Sequence, residues 1–201
     1  MYLRRLIRTG QKMLLTLFLL LICAESVPFV TKWNTSLFFL EGHAEINGEM
    51  GDFDSESTRP YGTSPHNQIR LGTKWGGVYD FIVDWGDGGS TDHITEWDQP
   101  ETLHTYDEEG VYEITMEGHI EAWGFDTLDT SYDGIKLIEI SQWGDLKLQS
   151  GGKWFEGCYH LDITATDSPD LASVTDYKYG FQYSGIKNVD FTAWDTSGAT
   201  R

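Results

Sequence analysis

Acidic side chains dominate the groups that could do chemistry here: 32 Asp and Glu stand against 14 Lys and Arg. Two stretches space them like oxygen ligands. In VDWGDGGSTDH (83–93), Asp84, Asp87 and Asp92 surround a Trp-Gly pair. In FDTLDTSYDG (125–134), Asp126, Asp129 and Asp133 recur every three or four residues. Calcium takes about six to eight oxygens, so either loop offers part of a calcium shell. Neither has the Asp-x-Asp-x-Asp-Gly pattern with a distal Glu of an EF-hand. The bland alternative for the first stretch is a turn, with Gly86 and Gly88 at positive φ and Asp87 accepting from backbone amides. The turn is favoured there. Asp126, Asp129 and Asp133 remain the calcium candidates, in competition with a solvated loop.

Other chemistries find less. The histidines, at 43, 66, 93, 104, 119 and 160, show neither His-x-His nor His-Glu-x-x-His spacing, so sequence gives zinc no support. Paired carboxylates hydrolyse glycosides when they face each other, but no pair stands out. There is no Gly-x-Ser-x-Gly elbow and no phosphate loop. Of the two cysteines, Cys23 lies in an N-terminal apolar run, which leaves Cys158 without a disulfide partner beyond that run. Cys158 reads as a small buried hydrophobe. Trp75, Trp97, Trp123, Trp143 and Trp154 exceed what a small core needs, and Trp dominates binding surfaces. Trp85 and Trp143 are assigned to the core; Trp97 and Trp123 are the binding candidates.

The elements that must position these groups read as strands. In YDFIVDW (79–85), Phe81, Val83 and Trp85 share a face. In VYEITME (111–117), Tyr112, Ile114 and Met116 oppose Glu113, Thr115 and Glu117. Such period-two alternation predicts half-buried antiparallel strands, with turns at 86–90 and 107–110. No stretch has a helical period. FVTKWNTSLFFL (29–40) is a further strand candidate, and the Gly- and Ser-rich 41–68 reads as a long loop. Asn34-Thr35-Ser36 is an N-glycosylation sequon, meaningful only in a eukaryotic host.

The first residues read as a targeting signal. MYLRRLIRTGQK is basic, MLLTLFLLLICA (13–24) is apolar but short, and polar residues follow. This is a secretory signal peptide over 1–24, with an uncleaved anchor as the alternative. A lipid-modified Cys23 is disfavoured by the Leu-Leu-Ile before it. The first 24 residues hold four bases and no acid, which leaves ten bases against 32 acids and a net charge of −22. That charge repels phosphate backbones and anionic bilayers, so nucleic acid is excluded as a partner and a membrane enters only through the signal or anchor.

From residue 136 a short pattern recurs: IEISQWGD from Ile138, LDITATD from Leu161 and VDFTAWD from Val189, ending at Asp145, Asp167 and Asp195. Between them lie FEGCYHL from Phe155 and FQYSGI from Phe181. The spacing is that of leucine-rich repeats, whose coils bury their apolar faces only by stacking. WDTSGATR reads as the middle of a further repeat, as if the array were truncated.

These motifs carry two resemblances. Trp85-Gly86-Asp87-Gly88, His104-x-Tyr106 and Gly110-x-Tyr112 with the strand after it resemble a polycystic kidney disease (PKD) domain, an immunoglobulin-like β-sandwich. Phe155-x-x-Cys158-x-x-Leu161, Phe181 and Trp194-Asp195-x-Ser197, with LIEISQWGDLKL (137–148) and its Trp143 at the junction, resemble BspA-like leucine-rich repeat surface proteins. Ser184 stands where those repeats usually have Cys, and Gly198-Ala199 where they have Asn-Val. The expected fold is therefore all-β: an N-terminal strand and loop over 25–68, a PKD-like sandwich over 69–135, and a short leucine-rich-repeat-like solenoid over 136–201. The resemblance implies a secreted or cell-surface adhesion protein without catalysis, binding an extracellular protein or a glycan, and needing no cofactor unless calcium. A secreted carbohydrate-active enzyme and a ligand-free spacer are the alternatives. Sequence names neither ligand nor oligomeric state.

Overall fold

The computed structural model describes residues 26–37, 44–46, 49–51, 63–125, 133–187 and 189–198. Its regular elements are β-strands and single 3-10 turns, as expected of an all-β chain. The strands are β1 (Phe29–Asn34), β2 (Ala44–Ile46), β3 (Glu49–Gly51), β4 (Gln68–Arg70), β5 (Thr73–Asp84), β6 (Asp92–Ile94), β7 (Leu103–Thr105), β8 (Val111–Trp123), β9 (Leu137–Gln142) and β10 (Asp162–Ile163). Six of them form one sheet in the order β10-β9-β1-β8-β5-β6. Two antiparallel pairs stand outside it, β2 with β3 and β4 with β7. The first is a short hairpin inside the segment that sequence reads as loop.

The alternations predicted for 79–85 and 111–117 hold. Phe81, Val83, Trp85, Ile114 and Met116 are buried, and their sequence neighbours face outward. β1 alternates likewise, with Phe29, Thr31 and Trp33 inward. The apolar ones share one core with Ile69 of β4 and with Leu146, Leu148, Phe155 and Val174 further along the chain. The core and the sheet both run through the boundary expected at 135/136. β1 is flanked by β8 on one side and β9 on the other, antiparallel to both. The earliest strand among the described residues thus lies within the sheet, between two elements that follow it far along the chain.

Beyond β9 the chain stacks on itself at offsets of 22–27 residues. β10 joins β9 in parallel, with Asp162 opposite Glu139. Lys147 bridges Glu121 on one side and Asp170 on the other, again in parallel. Phe155 N–H donates to Gly180 O and Gly157 N–H to Gln182 O. The recurring aspartates share one role, which is to accept turn amides that the strand ladders leave without a partner. Asp145 takes the Val27 amide at 2.8 Å, and Asp167 takes those of Trp143 and Gly144 in the coil before its own. Asp195 takes the amide of Ser197, within its own turn. Equivalent phenylalanines stack too, Phe155 on Phe181 with rings 5.4 Å apart and 16° from parallel. Cys158 is fully buried here, its sulfur beside Gly134, and burial pushes its thiol well above the ordinary range.

Candidate functional site

The stretch 83–93 turns at WGDGG, and its three aspartates each accept a hydrogen bond within it. β5 and β6 pair as a hairpin across it. Gly86 and Gly88 lie at φ +75° and +77°. Asp84 accepts the Gly86 amide at 2.9 Å, and Asp87 that of Gly89 at 2.8 Å. Asp92 accepts from the Trp85 indole N–H at 2.8 Å. The rest of the motif closes around this turn. His104 Nε2 lies 2.8 Å from the second Asp87 oxygen, while its ring stacks on Trp85 at 4.6 Å. The Tyr106 hydroxyl donates to Trp85 O, and Tyr112 stacks on Tyr106 at 3.8 Å. Gly110 exchanges hydrogen bonds with Thr35 after β1. Backbone amides and an imidazole thus stabilise the charged form of Asp87, and its carboxyl sits below the usual carboxylate range; the Gly89 amide is the larger cause and His104 the next.

Of the calcium candidates, Asp126 and Asp129 lie outside the described residues. Asp133 is not placed as a loop ligand: it is fully buried at the start of a 3-10 turn, Asp133–Lys136. Its oxygens accept the amides of Ser64 at 2.8 Å and Arg70 at 2.6 Å, and the Ser64 hydroxyl. Lys136 Nζ lies 3.8 Å away, equally buried, among four oxygens of Ser64, Pro65 and Gln68 at 2.8–2.9 Å. Burial lowers the Lys136 pKa and Asp133 pulls it back up. Together the pair staples residues 64–70 to the chain ahead of β9. Buried pairs add little over an apolar substitute, but losing one partner costs about 3–5 kcal/mol. Sequence read Asp133 by its neighbours in the chain, whereas the groups that occupy its oxygens come from a segment more than sixty residues earlier. Among the described residues no group of three His, Cys, Asp or Glu side chains converges as a metal shell.

The tryptophans separate cleanly. Trp33, Trp85, Trp123, Trp143 and Trp154 are all but inaccessible. Trp123 therefore cannot serve as the binding residue that sequence makes it: its ring meets Phe29 edge-on at 5.3 Å and Phe125 at 6.1 Å, beneath the sheet. Trp97 is half-buried against the core, and its carbonyl accepts from the Thr73 hydroxyl at 2.7 Å. Trp75, two residues on from that contact, is 81% exposed.

Trp75 stands on a built protrusion. β5 and β8 pair at Thr73↔Trp123 and next at Val78↔Glu121, so Lys74, Trp75, Gly76 and Gly77 oppose Ala122 alone. Such an insertion breaks the ladder and pushes its residues out of the sheet. The Tyr79 hydroxyl fills the gap: it accepts the Lys74 amide at 2.7 Å and lies 3.1 Å from Lys74 O and 2.8 Å from Ala122 O. Burial pushes this phenol up to about 12. Gly76 turns through φ +82° and Ala122 through φ +76°, a conformation that costs a non-glycine residue about 1–2 kcal/mol. At the same point β8 turns to Lys147, whose carbonyl takes the Ala122 amide. The Gly-Gly pair after Trp75 was the sequence signal for this bulge, since glycines in a strand pattern mark one.

No helix among the described residues is long and apolar enough to cross a membrane, and the segment read as a signal peptide, 1–24, lies outside them. No protein-family model, curated protein or solved structure matches this chain.

Proposed function

We propose that the chain is a non-catalytic extracellular or cell-surface binding protein, a PKD-like β-sandwich continued by leucine-rich-repeat-like coils, that recognises a protein or a glycan through Trp75. The observation that carries this reading is the exposed indole on a protrusion braced by Tyr79. Trp is seldom left in water on a surface that binds nothing, and braced aromatics lose little entropy on contact. The parallel pairings at offsets of 23 and 26 residues support the repeat reading. The turn built on Trp85, Asp87, His104 and Tyr106 supports the sandwich reading. Trp97, half-buried against the core, accepts from Thr73 at the foot of the protrusion.

The test is binding of the chain to arrays of extracellular proteins and glycans, followed by titration of each hit with the Trp75→Ala variant. A contact hot spot of this kind loses about thirtyfold or more in affinity on truncation. Circular dichroism of the variant should match the parent, because the indole is directed into solvent. Hits that bind Trp75→Ala unchanged would move the site elsewhere, and an array without hits would favour a spacer.

A further inference from the structure

Bases are few in this acidic chain, 14 Lys and Arg against 32 Asp and Glu, yet three lysines meet where the β5 bulge touches the coils. Lys74 Nζ donates to Gly152 O at 3.5 Å. A Cβ on Gly124 would stand 2.7 Å from Lys153 O and 3.0 Å from Lys74 Cδ, so both lysines border one glycine. Gly152 in turn packs against Lys178 O, one coil further on. The Lys178 ammonium lies over the ring of Tyr179, 4.6 Å from its centroid, and that tyrosine is 43% exposed. Trp75 follows Lys74 directly on the protrusion. We infer that Trp75, Tyr179 and the three lysines form a binding site for an anionic glycan, an oligosaccharide bearing carboxylate or sulfate groups. This rests on the reading of Trp75 as the contact residue and decides between the two ligand classes left open there.

Such a ligand needs two kinds of group, and both are here. The C–H face of a sugar ring packs on an aromatic ring, and its charged substituents take donors from lysine. Backbone strain gathers at the same place. Among the described residues, Ala122, Lys153, Tyr179 and Tyr183 have positive φ without being glycine. Ala122 opposes the bulge, and Lys153 and Tyr179 belong to the site. Lys153 stands two residues before Phe155, and Tyr179 two before Phe181, so the strain recurs at equivalent points of successive coils. A residue with a Cβ resists this conformation, and such strain clusters where ligands are held. An exposed tyrosine has little packing to offset it. The acids close by have other partners. Glu121, opposite Val78, accepts from Gln149 at 3.1 Å, lies 3.3 Å from His119 and pairs in register with Lys147. Asp176 accepts the Lys178 amide at 2.9 Å. Net charge does not oppose a short ligand. At physiological salt the Debye length is about 8 Å, so the lysines in contact act while distant carboxylates are screened. The site has no sequence signature, because positions 74, 153 and 178 meet only through the stacking of the coils on the bulge.

Calorimetric titration of the whole chain at physiological salt tests this with three hexasaccharides. Hyaluronan carries carboxylates alone, a heparin fragment carries sulfates as well, and chitohexaose is neutral. The site predicts one saturable sugar per chain for at least one acidic hexasaccharide, bound at least tenfold more tightly than chitohexaose. Binding of both acidic sugars assigns the lysines to carboxylates, and binding of the heparin fragment alone assigns them to sulfates. Trp75→Ala, Tyr179→Ala, Lys74→Gln, Lys153→Gln and Lys178→Gln should each weaken the acidic sugar several-fold, whereas Lys32→Gln and Lys187→Gln should leave it unchanged. Circular dichroism checks that each variant keeps the fold. Chitohexaose bound as tightly as the acidic sugars, or acidic sugars indifferent to the lysine substitutions at the site, would overturn the anionic site and leave Trp75 as a contact residue. The same holds if no sugar binds but a protein ligand is lost in Trp75→Ala. If no ligand of any class depends on Trp75, both readings fall.

Discussion

Asp87 holds its negative charge at the centre of a turn because Gly89, His104 and the backbone favour the ionised form. Its folded pKa lies below the ordinary 3.8, so ionised Asp87 stabilises the fold at every pH above that value. The contribution drains away as pH falls below 3.8 towards the depressed folded value. Melting temperatures measured from pH 5 down to pH 2 should therefore fall more steeply in the parent than in Asp87→Asn, which is already less stable at neutral pH. Parallel curves would mean that the carboxylate is no part of the lock. At this scale sequence read the turn from its glycines, and Asp84 and Asp87 do accept turn amides there. It failed for Asp133 and Trp123, because burial of a single side chain depends on partners distant in sequence. Ser64 and Arg70 lie more than sixty residues from Asp133.

Strands and turns were the legible elements. Period two is a local property, so β5 and β8 could be read from 79–85 and 111–117 without knowing their partners. The bulge was half legible: the glycines at 76 and 77 signal a break, but only the register against β8 shows that four residues face one. The hairpin glycines offer a sharper test of the same physics. Both Gly86 and Gly88 have positive φ, yet a Cβ on Gly86 would lie 2.2 Å from Glu113 O on β8 and one on Gly88 would meet nothing within 4 Å. Gly88→Ala should cost about 1–2 kcal/mol, the backbone penalty alone. Gly86→Ala should cost clearly more, because the two strands must separate to admit the methyl. Urea denaturation of the two variants decides it, and equal losses would mean that β8 yields freely.

At the scale of the molecule, the recurrence of aspartates and phenylalanines after residue 136 was legible, but the union of that segment with the first part was not. Nothing in FVTKWN announces that this strand will sit between β8 and β9. The expected boundary at 135/136 divides the motifs without dividing the sheet. A chain ending at residue 135 should therefore not fold as an independent sandwich. It would expose the β9 side of β1, a row of unpaired amides and carbonyls beside the apolar faces of Phe29 and Trp33. Size-exclusion chromatography and circular dichroism of residues 26–135 should show aggregation or loss of strand signal. A monodisperse, cooperatively melting fragment would mean that the coils merely rest on a finished domain.

That shared strand also fixes how the molecule would bear a load. A pull on the chain ahead of β1, directed along the strand, stresses two antiparallel ladders sideways at once, six register pairs to β8 and four to β9. Bonds strained in shear yield together, whereas bonds peeled from one end yield singly. Tension entering at the N-terminal side is thus divided between the hairpin strands and the coils, and β1 acts as a tie-rod between them.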